Sequence, residues 1–385
     1  MTPARCARRL ALAGLCLAAA FSMSACNRTP DVLRIGVAQP LSGELATQGV
    51  DLLNGATLAV EEINAAGGVR VGGHAVKLEV VSADDKADAE AGKAAAAKLV
   101  QADVLVAIAD LNSGVSIAAA PAYAAAGIPQ LAISTKPAYT QLNLPTTLRL
   151  VANDSLQARA IGEYARQLGG AKAYAVLDDS TPYGKGLADD VAKLLAARGQ
   201  AVAVRQSADN KTTDFKAFVG AVGQAGADVV VAMVSDFQAE ALVQQLSAAG
   251  LKGVRLLGSD TLKTDKLLKA GGALRAVYVT SPILEVGELP SGKQFLSKFR
   301  ARFKGEPVYG AHYSYDAVYL VADALARNAS VDKGALLERL KTFDGNAPVT
   351  GSMRFRADGE QRYGAVSVYQ LVGGRWAPVM RSDSW

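Results

Sequence analysis

The chain has three cysteines, two histidines and two tryptophans in 385 residues, and these scarcities exclude several chemistries at once. Cys6, Cys16 and Cys26 all fall within the first 26 residues, so the rest of the chain has no disulfide framework and no cysteine metal site. His74 and His312 are far apart and are not spaced as a ligand pair. The first reads as part of a Gly-Gly-His turn and the second as a helix-start residue, which leaves Ser-His-Asp catalysis and a histidine metal site unsupported. No G-x-S-x-G elbow, Walker A sequence or G-x-G-x-x-G after a strand occurs. Gly67-Gly68 and Gly72-Gly73 bracket a helix-to-strand turn, the wrong side of a βα unit for cradling phosphate. The acidic pairs Asp84-Asp85 and Asp178-Asp179 read as helix caps and solvated polar side chains in preference to metal ligands. The expectation is a protein without metal, cofactor or catalytic nucleophile.

Long apolar runs are also scarce. Leu10 to Phe21 follows the basic start MTPARCARR and precedes Ser24-Ala25-Cys26, the three-part layout of a secretory signal. At well under the ~20 residues needed to cross a bilayer, this run does not read as a transmembrane helix. Residues 1–25 are therefore expected to be a signal peptide and residues 26–30 a short tether. Met23-Ser24-Ala25-Cys26 resembles a bacterial lipobox, with Met23 where an aliphatic residue is usual; it predicts lipid attachment at Cys26, and ordinary cleavage near Ala25 is the alternative. Both place the mature protein outside the cytoplasm. The net charge of +5 includes Arg5, Arg8 and Arg9, with no acid in residues 1–25, so only +2 belongs to the body. That small, dispersed excess predicts no nucleic-acid partner.

What is present is a composition that is 50% hydrophobic and 20% charged, with short apolar runs alternating with amphipathic stretches of a dozen or more residues. This pattern is that of repeated βα units and a mostly parallel sheet. Val32 to Ala38 reads as a strand, Gln39 to Gln48 as a polar loop and Gly49 to Ala66 as a helix ended by Gly67-Gly68. Further strands are expected at Val76 to Val81, Val104 to Ala109, Gln130 to Ser134, Ala173 to Leu177, Ala201 to Arg205, Asp228 to Val234, Arg255 to Gly258 and Val277 to Ser281. About nine strands exceed one compact sheet of this length, so two α/β lobes are expected. The tail, with Met353-Arg354-Phe355, Ala365 to Gln370 and Trp376 to Val379 broken by Asp358-Gly359 and Gly373-Gly374, reads as short strands and hairpin turns.

In open α/β sheets, ligands bind beyond the carboxyl ends of the strands. The loops expected there are unusually polar. Pro40-Leu41-Ser42-Gly43 follows the first strand. Asp110-Leu111-Asn112-Ser113-Gly114 opens an Ala-rich helix, where Ser113 and free backbone amides suit a carboxylate, or Ser113 is a plain helix cap. Ser134-Thr135 lead into an extended Lys136-Pro137 loop. Asp178 to Tyr183 ends a strand and starts a helix, with Thr181 as cap, Pro182 at the first helical position and Tyr183 facing the sheet edge. Leu256 to Asp260 ends another strand with a carboxylate. Hydroxyls and helix amides on one lobe and an acid on the other suit a zwitterion.

At these loops the sequence resembles the type I periplasmic binding proteins of the leucine/isoleucine/valine-binding family, solute receptors of ABC importers. The resemblance is carried by Ile35-Gly36-Val37 through Ser42-Gly43, Glu61-Glu62-Ile63-Asn64 with Gly67-Gly68-Val69, Tyr183-Gly184-Lys185-Gly186, Ala248-Ala249-Gly250, Tyr315-Asp316-Ala317 and Gly351-Ser352-Met353-Arg354-Phe355. It implies two Rossmann-like α/β lobes with parallel sheets joined by three crossovers near Leu150, Val279 and Thr350. Lobe 1 is then residues 31–150 plus 280–350, and lobe 2 residues 151–279 plus 351–385. The same resemblance implies a non-enzymatic, monomeric receptor for an amino acid, working with an inner-membrane ABC permease. Ser113 and Thr135 match positions that hold the ligand carboxylate and amino group, and the Ser134 hydroxyl is expected to reach the same ligand from its loop. Tyr183 matches an aromatic contact and Asp260 the acid that pairs with the ammonium; Leu41 and Ser235 complete the expected pocket. Ser235, beside Asp236 and Phe237, stands where branched-chain binders often carry an aromatic, which leaves the preferred side chain open. A ligand-sensing receptor without transport, or a two-lobe hydrolase or transferase, is the alternative from another class.

Overall fold

The computed structural model describes residues 29–168 and 173–382; the expected signal peptide and Cys26 lie outside them. The first strand, β1 (Val32–Gln39), is buried on both faces over most of its length, which is how a strand reads when helices cover both sides of a parallel sheet. It leads into α1 (Ala46–Ala65), the hairpin β2 (Val69–Val71) and β3 (His74–Asp84), α2 (Ala89–Gln101), β4 (Val106–Ala109), α3 (Ser113–Ala125), β5 (Gln130–Ala132) and β6 (Thr147–Arg149). These strands form one six-stranded sheet in the order β2-β3-β1-β4-β5-β6, parallel except for the β2–β3 pair.

The chain then enters a second unit through α4 (Asp154–Gln167), β7 (Tyr174–Asp178), α5 (Pro182–Ala197), β8 (Val202–Ser207), α6 (Lys216–Ala225), β9 (Val229–Met233), α7 (Asp236–Ala248), β10 (Arg255–Gly258), α8 (Asp265–Ala270) and β11 (Ala276–Ser281). It returns to the first unit with α9 (Gly292–Phe303), α10 (Ala311–Asn328), α11 (Lys333–Lys341) and the small hairpin β12 (Asp344–Ala347) and β13 (Gly351–Arg354). It ends with β14 (Ser367–Val372) and β15 (Arg375–Arg381), an antiparallel pair on the edge of a seven-stranded sheet ordered β15-β14-β11-β10-β9-β7-β8. The result is the expected pair of α/β lobes with chiefly parallel sheets.

Each sheet has its own core. Ile35, Ile108 and Leu131 pack with Phe295, Phe299 and Leu325 of the returning helices, whereas Val230, Leu256, Val279 and Tyr369 belong to the core of the second unit. Helices α1 and α10 pack closely enough that a Cβ on Gly55 would collide with the Ala311 carbonyl, so glycine is required there. Met353, Phe355 and Ala365 are buried in the first core, and only from Val366 onward does the tail join the second unit.

The strand positions read from sequence reappear to within a few residues. The three-residue strands β2 and β6 and the four-residue β12 are too short for an alternation signal. The strand expected at Gln130 to Ser134 stops at Ala132, because the Ser134 carbonyl accepts from the Arg149 guanidinium instead of extending the ladder.

Candidate ligand-binding cleft

Both sheets place their topological switch points at the cleft. In the first sheet, β1 lies between β3 and β4, so the loops after β1 and β4 leave side by side. In the second, β7 lies between β8 and β9, which pairs the loop opening α5 with the one opening α7. Leu41, Ser113, Tyr183 and Ser235 fall on these loops or the helix starts they open, and Ser134, Thr135 and Asp260 follow the neighbouring strands β5 and β10.

Leu41 is half-buried after β1, and its N–H donates to Asp84 Oδ1 at 2.8 Å; the Ser42 hydroxyl donates to Asp84 Oδ2 at 2.6 Å. Asp84 therefore shapes this loop, as a strand-end acid is expected to. Asn112 occupies the cap position of α3, so Ser113 is the first helical residue, buried, with its Oγ accepting the Lys136 N–H at 3.2 Å. That bond ties the start of α3 to the Ser134-Thr135-Lys136 loop.

The loop is held from below by Arg149, fully buried, whose guanidinium donates to the Ser134 carbonyl, to the Lys136 carbonyl at 2.7 Å and to Glu360 Oε2 at 3.0 Å. Glu360 also accepts from the Thr140 hydroxyl at 2.6 Å. An ion pair this deep needs each partner and the added hydrogen bonds to balance its desolvation. The Ser134 hydroxyl, 2% exposed, has no hydrogen-bond partner among the described residues. The Thr135 carbonyl accepts the N–H of Asp154 at 2.8 Å, joining the loop to the start of α4.

On the other lobe, Thr181 caps α5 by accepting the Gly184 N–H at 3.0 Å, with Pro182 in the first turn, as the sequence predicts. This cap orients Tyr183, whose hydroxyl donates to Asp260 Oδ1. Gln157 Nε2 donates to the same oxygen at 3.1 Å, and the Tyr309 hydroxyl donates to Asp260 Oδ2 at 2.8 Å. Tyr309 belongs to the first lobe, so this last bond crosses the cleft. Its segment is fixed by Asp51 of α1, which accepts the backbone N–H groups of Val308, Tyr309, Gly310 and Ala311 at 2.9 to 3.0 Å. The lobes also meet where Glu44 faces Lys266 at 3.8 Å.

Ser113, Ser134, Thr135, Tyr183 and Asp260 thus lie on one connected set of contacts. Ser235 is the cap of α7 in a reciprocal capping box, its N–H donating to Gln238 Oε1 at 3.2 Å, so its own helix engages it. Among the described residues, the Asp260 carboxylate is hydrogen-bonded by Gln157, Tyr183 and Tyr309 and not by Leu41 or Ser235. Sequence reading missed Asp154, Gln157 and Tyr309. Asn153-Asp154 carries a cap signal that marks the start of α4, but nothing local shows that this helix start faces the cleft.

Electrostatics set the character of the cleft. Burial pushes the Asp154 carboxyl up to about 7; the nearby Thr135 hydroxyl opposes this, while the Asp260 charge adds to it. Burial and the Asp260 charge hold the Tyr183 and Tyr309 hydroxyls well above the usual tyrosine range, so both remain donors. Two acids, neutral donors and an open hydroxyl can recognise a charged amine and a carboxylate but offer no activated nucleophile. Among the described residues, no three His, Cys, Asp or Glu side chains group where they could hold a metal ion.

Residues 32–375 match the family model described as "Periplasmic binding protein". The chain is 29% identical to a Leu/Ile/Val-binding protein homolog 1 of Brucella suis, covering 95% of this chain and 97% of that one. It is 31% identical to an amino acid binding protein of Pseudomonas aeruginosa, covering 87% and 89%. Among solved structures, the branched-chain amino acid transporter substrate-binding protein LivJ of Streptococcus pneumoniae, in complex with isoleucine, superposes with a TM-score of 0.80 at 26% identity, covering 91% and 99%. With this match running through both lobes, the chain belongs to the periplasmic binding protein family.

Proposed function

We propose that the protein is the extracytoplasmic solute receptor of an ABC importer and binds an amino acid, of branched-chain type or a close analogue, between its lobes. The observation that carries this reading is Asp260, buried where the lobes meet and facing Tyr183 from one lobe and Tyr309 from the other. A zwitterion would place its ammonium at this acid and its carboxylate at the Ser113, Ser134 and Thr135 edge, so that each charged end meets its complement. A ligand touching both lobes favours the closed arrangement by the contacts it adds there, a hinge-type population shift. Closed receptor then presents a surface formed by both lobes to the permease.

Lobe 1 is taken as residues 31–150 and 282–365 and lobe 2 as 151–281 and 366–382, because the stretch from Met353 to Ala365 packs in the first core. Lipid attachment at Cys26 and a monomeric state complete the proposal. The relatives named as Leu/Ile/Val-binding and amino acid binding proteins support the ligand class.

A thermal-shift panel of amino acids, amides and small carboxylates tests the reading. A true ligand at 100 times its dissociation constant stabilises by about 2.7 kcal/mol. Asp260→Ala is expected to weaken the same ligand by about 2 to 5 kcal/mol, because it takes a buried carboxylate away from the ammonium. A panel in which no amino acid raises the melting temperature would sink the reading.

A further inference from the structure

Asp260 has few acceptor positions left. A carboxylate offers about four lone-pair sites, and three are taken by Tyr183, Gln157 and Tyr309. Asp154 presents the reverse case. It is 2% exposed, and although the Thr135 hydroxyl is near enough to favour its charge, neither carboxylate oxygen receives a well-formed hydrogen bond from the described residues. Gln157, wholly buried, uses its amide nitrogen on Asp260 and Tyr183 and leaves Oε1 without a donor among the described residues. Asp154 and Gln157 stand one turn apart on α4, and Gln157 is bonded to Asp260, so these acceptors lie beside one another.

Buried acceptors left without donors are expensive in a folded protein. Here they comprise both oxygens of Asp154 and Oε1 of Gln157, beside the one open position on Asp260. A primary ammonium carries three N–H donors.

We infer that the amine end of the ligand is recognised by three acceptors, Asp154, Gln157 Oε1 and Asp260, with Asp154 as the principal counter-ion and Asp260 as a pre-oriented second carboxylate. This rests on the amino-acid reading above and narrows it to ligands with a primary, unsubstituted ammonium. Secondary and quaternary amines lose one or more donors, and deaminated acids leave all three acceptors unmatched. A second consequence is proton release. The groups facing Asp154 are Asp260, Lys136, Arg149, Tyr183, Tyr309 and Thr135. In their midst the carboxyl holds its proton up to about pH 7, and an arriving ammonium expels it.

The test is calorimetric titration of the full mature chain with leucine, N-methyl-leucine and 4-methylpentanoate, at pH 6 and pH 8.5, in buffers of different ionisation enthalpy. The wild type is expected to bind leucine with release of close to one proton at pH 6 and almost none at pH 8.5. N-methyl-leucine should bind at least ten-fold more weakly and 4-methylpentanoate more weakly still. Asp154→Asn, checked for an unchanged circular dichroism spectrum, should lose roughly thirty-fold or more in leucine affinity and lose the proton release. The wild-type arms do not depend on the variant folding. Leucine binding to wild type with N-methyl-leucine equally tight, or with no proton release at pH 6, overturns the inference and leaves the amino-acid reading standing. Failure of leucine, isoleucine, valine, alanine and threonine all to bind overturns both.

Discussion

His312 and Asp316 lie one turn apart on the buried face of α10, and burial shifts them in opposite directions. Asp316 is raised to about 6 by burial despite accepting the Val349 N–H at 3.0 Å and the Thr350 hydroxyl at 2.6 Å. His312 is pushed down to about 3 by burial, with the Lys263 charge adding to the effect. The raised acids, Asp316 and Asp154, hold protons that the unfolded chain has released. They therefore favour the fold most below about pH 4 and lose that contribution as pH rises through 6 to 7. The neutral imidazole has the opposite sign: its contribution is present above pH 6.5 and is lost as pH falls toward 3. Removing the histidine should expose the acids. Between pH 7 and 5, His312→Asn is expected to gain about 2 kcal/mol more stability than the wild type does, read from urea unfolding at both values. Equal slopes would show that His312 is not buried in its neutral form.

At the scale of elements, the Ser134-Thr135-Lys136 loop shows what supports a binding segment without secondary structure of its own. Its turn residues are legible in sequence, but its anchor is not. Arg149 sits at the end of the three-residue β6, and Glu360 comes from the turn after β13, 211 residues later. Breaking one side of such a buried pair leaves the other charge uncompensated. Glu360→Ala is expected to lower stability by about 3 to 5 kcal/mol, measured by urea denaturation, and to loosen the loop. A loss below about 1 kcal/mol would mean the pair contributes little. The helix starts contrast with this loop. Thr181-Pro182 and the Ser235 capping box are local signals, and α5 and α7 begin where those residues place them. Ser235 also shows the ambiguity of such signals, since a serine at a strand end reads equally as a ligand contact or as a cap.

At the scale of the molecule, the two lobes meet where Gly114 at the start of α3 faces Pro182 at the start of α5. A Cβ at position 114 would stand 3.2 Å from the Pro182 ring, tight for a methyl group and too close for a larger side chain. Gly114→Leu is expected to wedge the lobes apart while each core stays intact. In small-angle scattering with saturating leucine, the wild type should contract on binding and the variant should not. An equal contraction would show that closure does not bring α3 against α5.

The βα alternation, most strand positions, the Thr181-Pro182 helix start and the family resemblance are legible in the sequence alone. Each is written in neighbouring residues through period, turn chemistry or short motif. The sequence also pointed to Ser113, Ser134, Thr135, Tyr183 and Asp260, which the structure draws onto one set of contacts. Only the tertiary structure brought Asp51 to the Tyr309 segment, Tyr309 to Asp260, Glu360 to Arg149 and Asp154 into the cleft. Those partners are dozens to hundreds of residues apart, and what they do depends on burial. A carboxylate has the same chemistry in any sequence, and it acts as a clamp, an anchor or a counter-ion according to which donors the fold places beside it and how much water it removes.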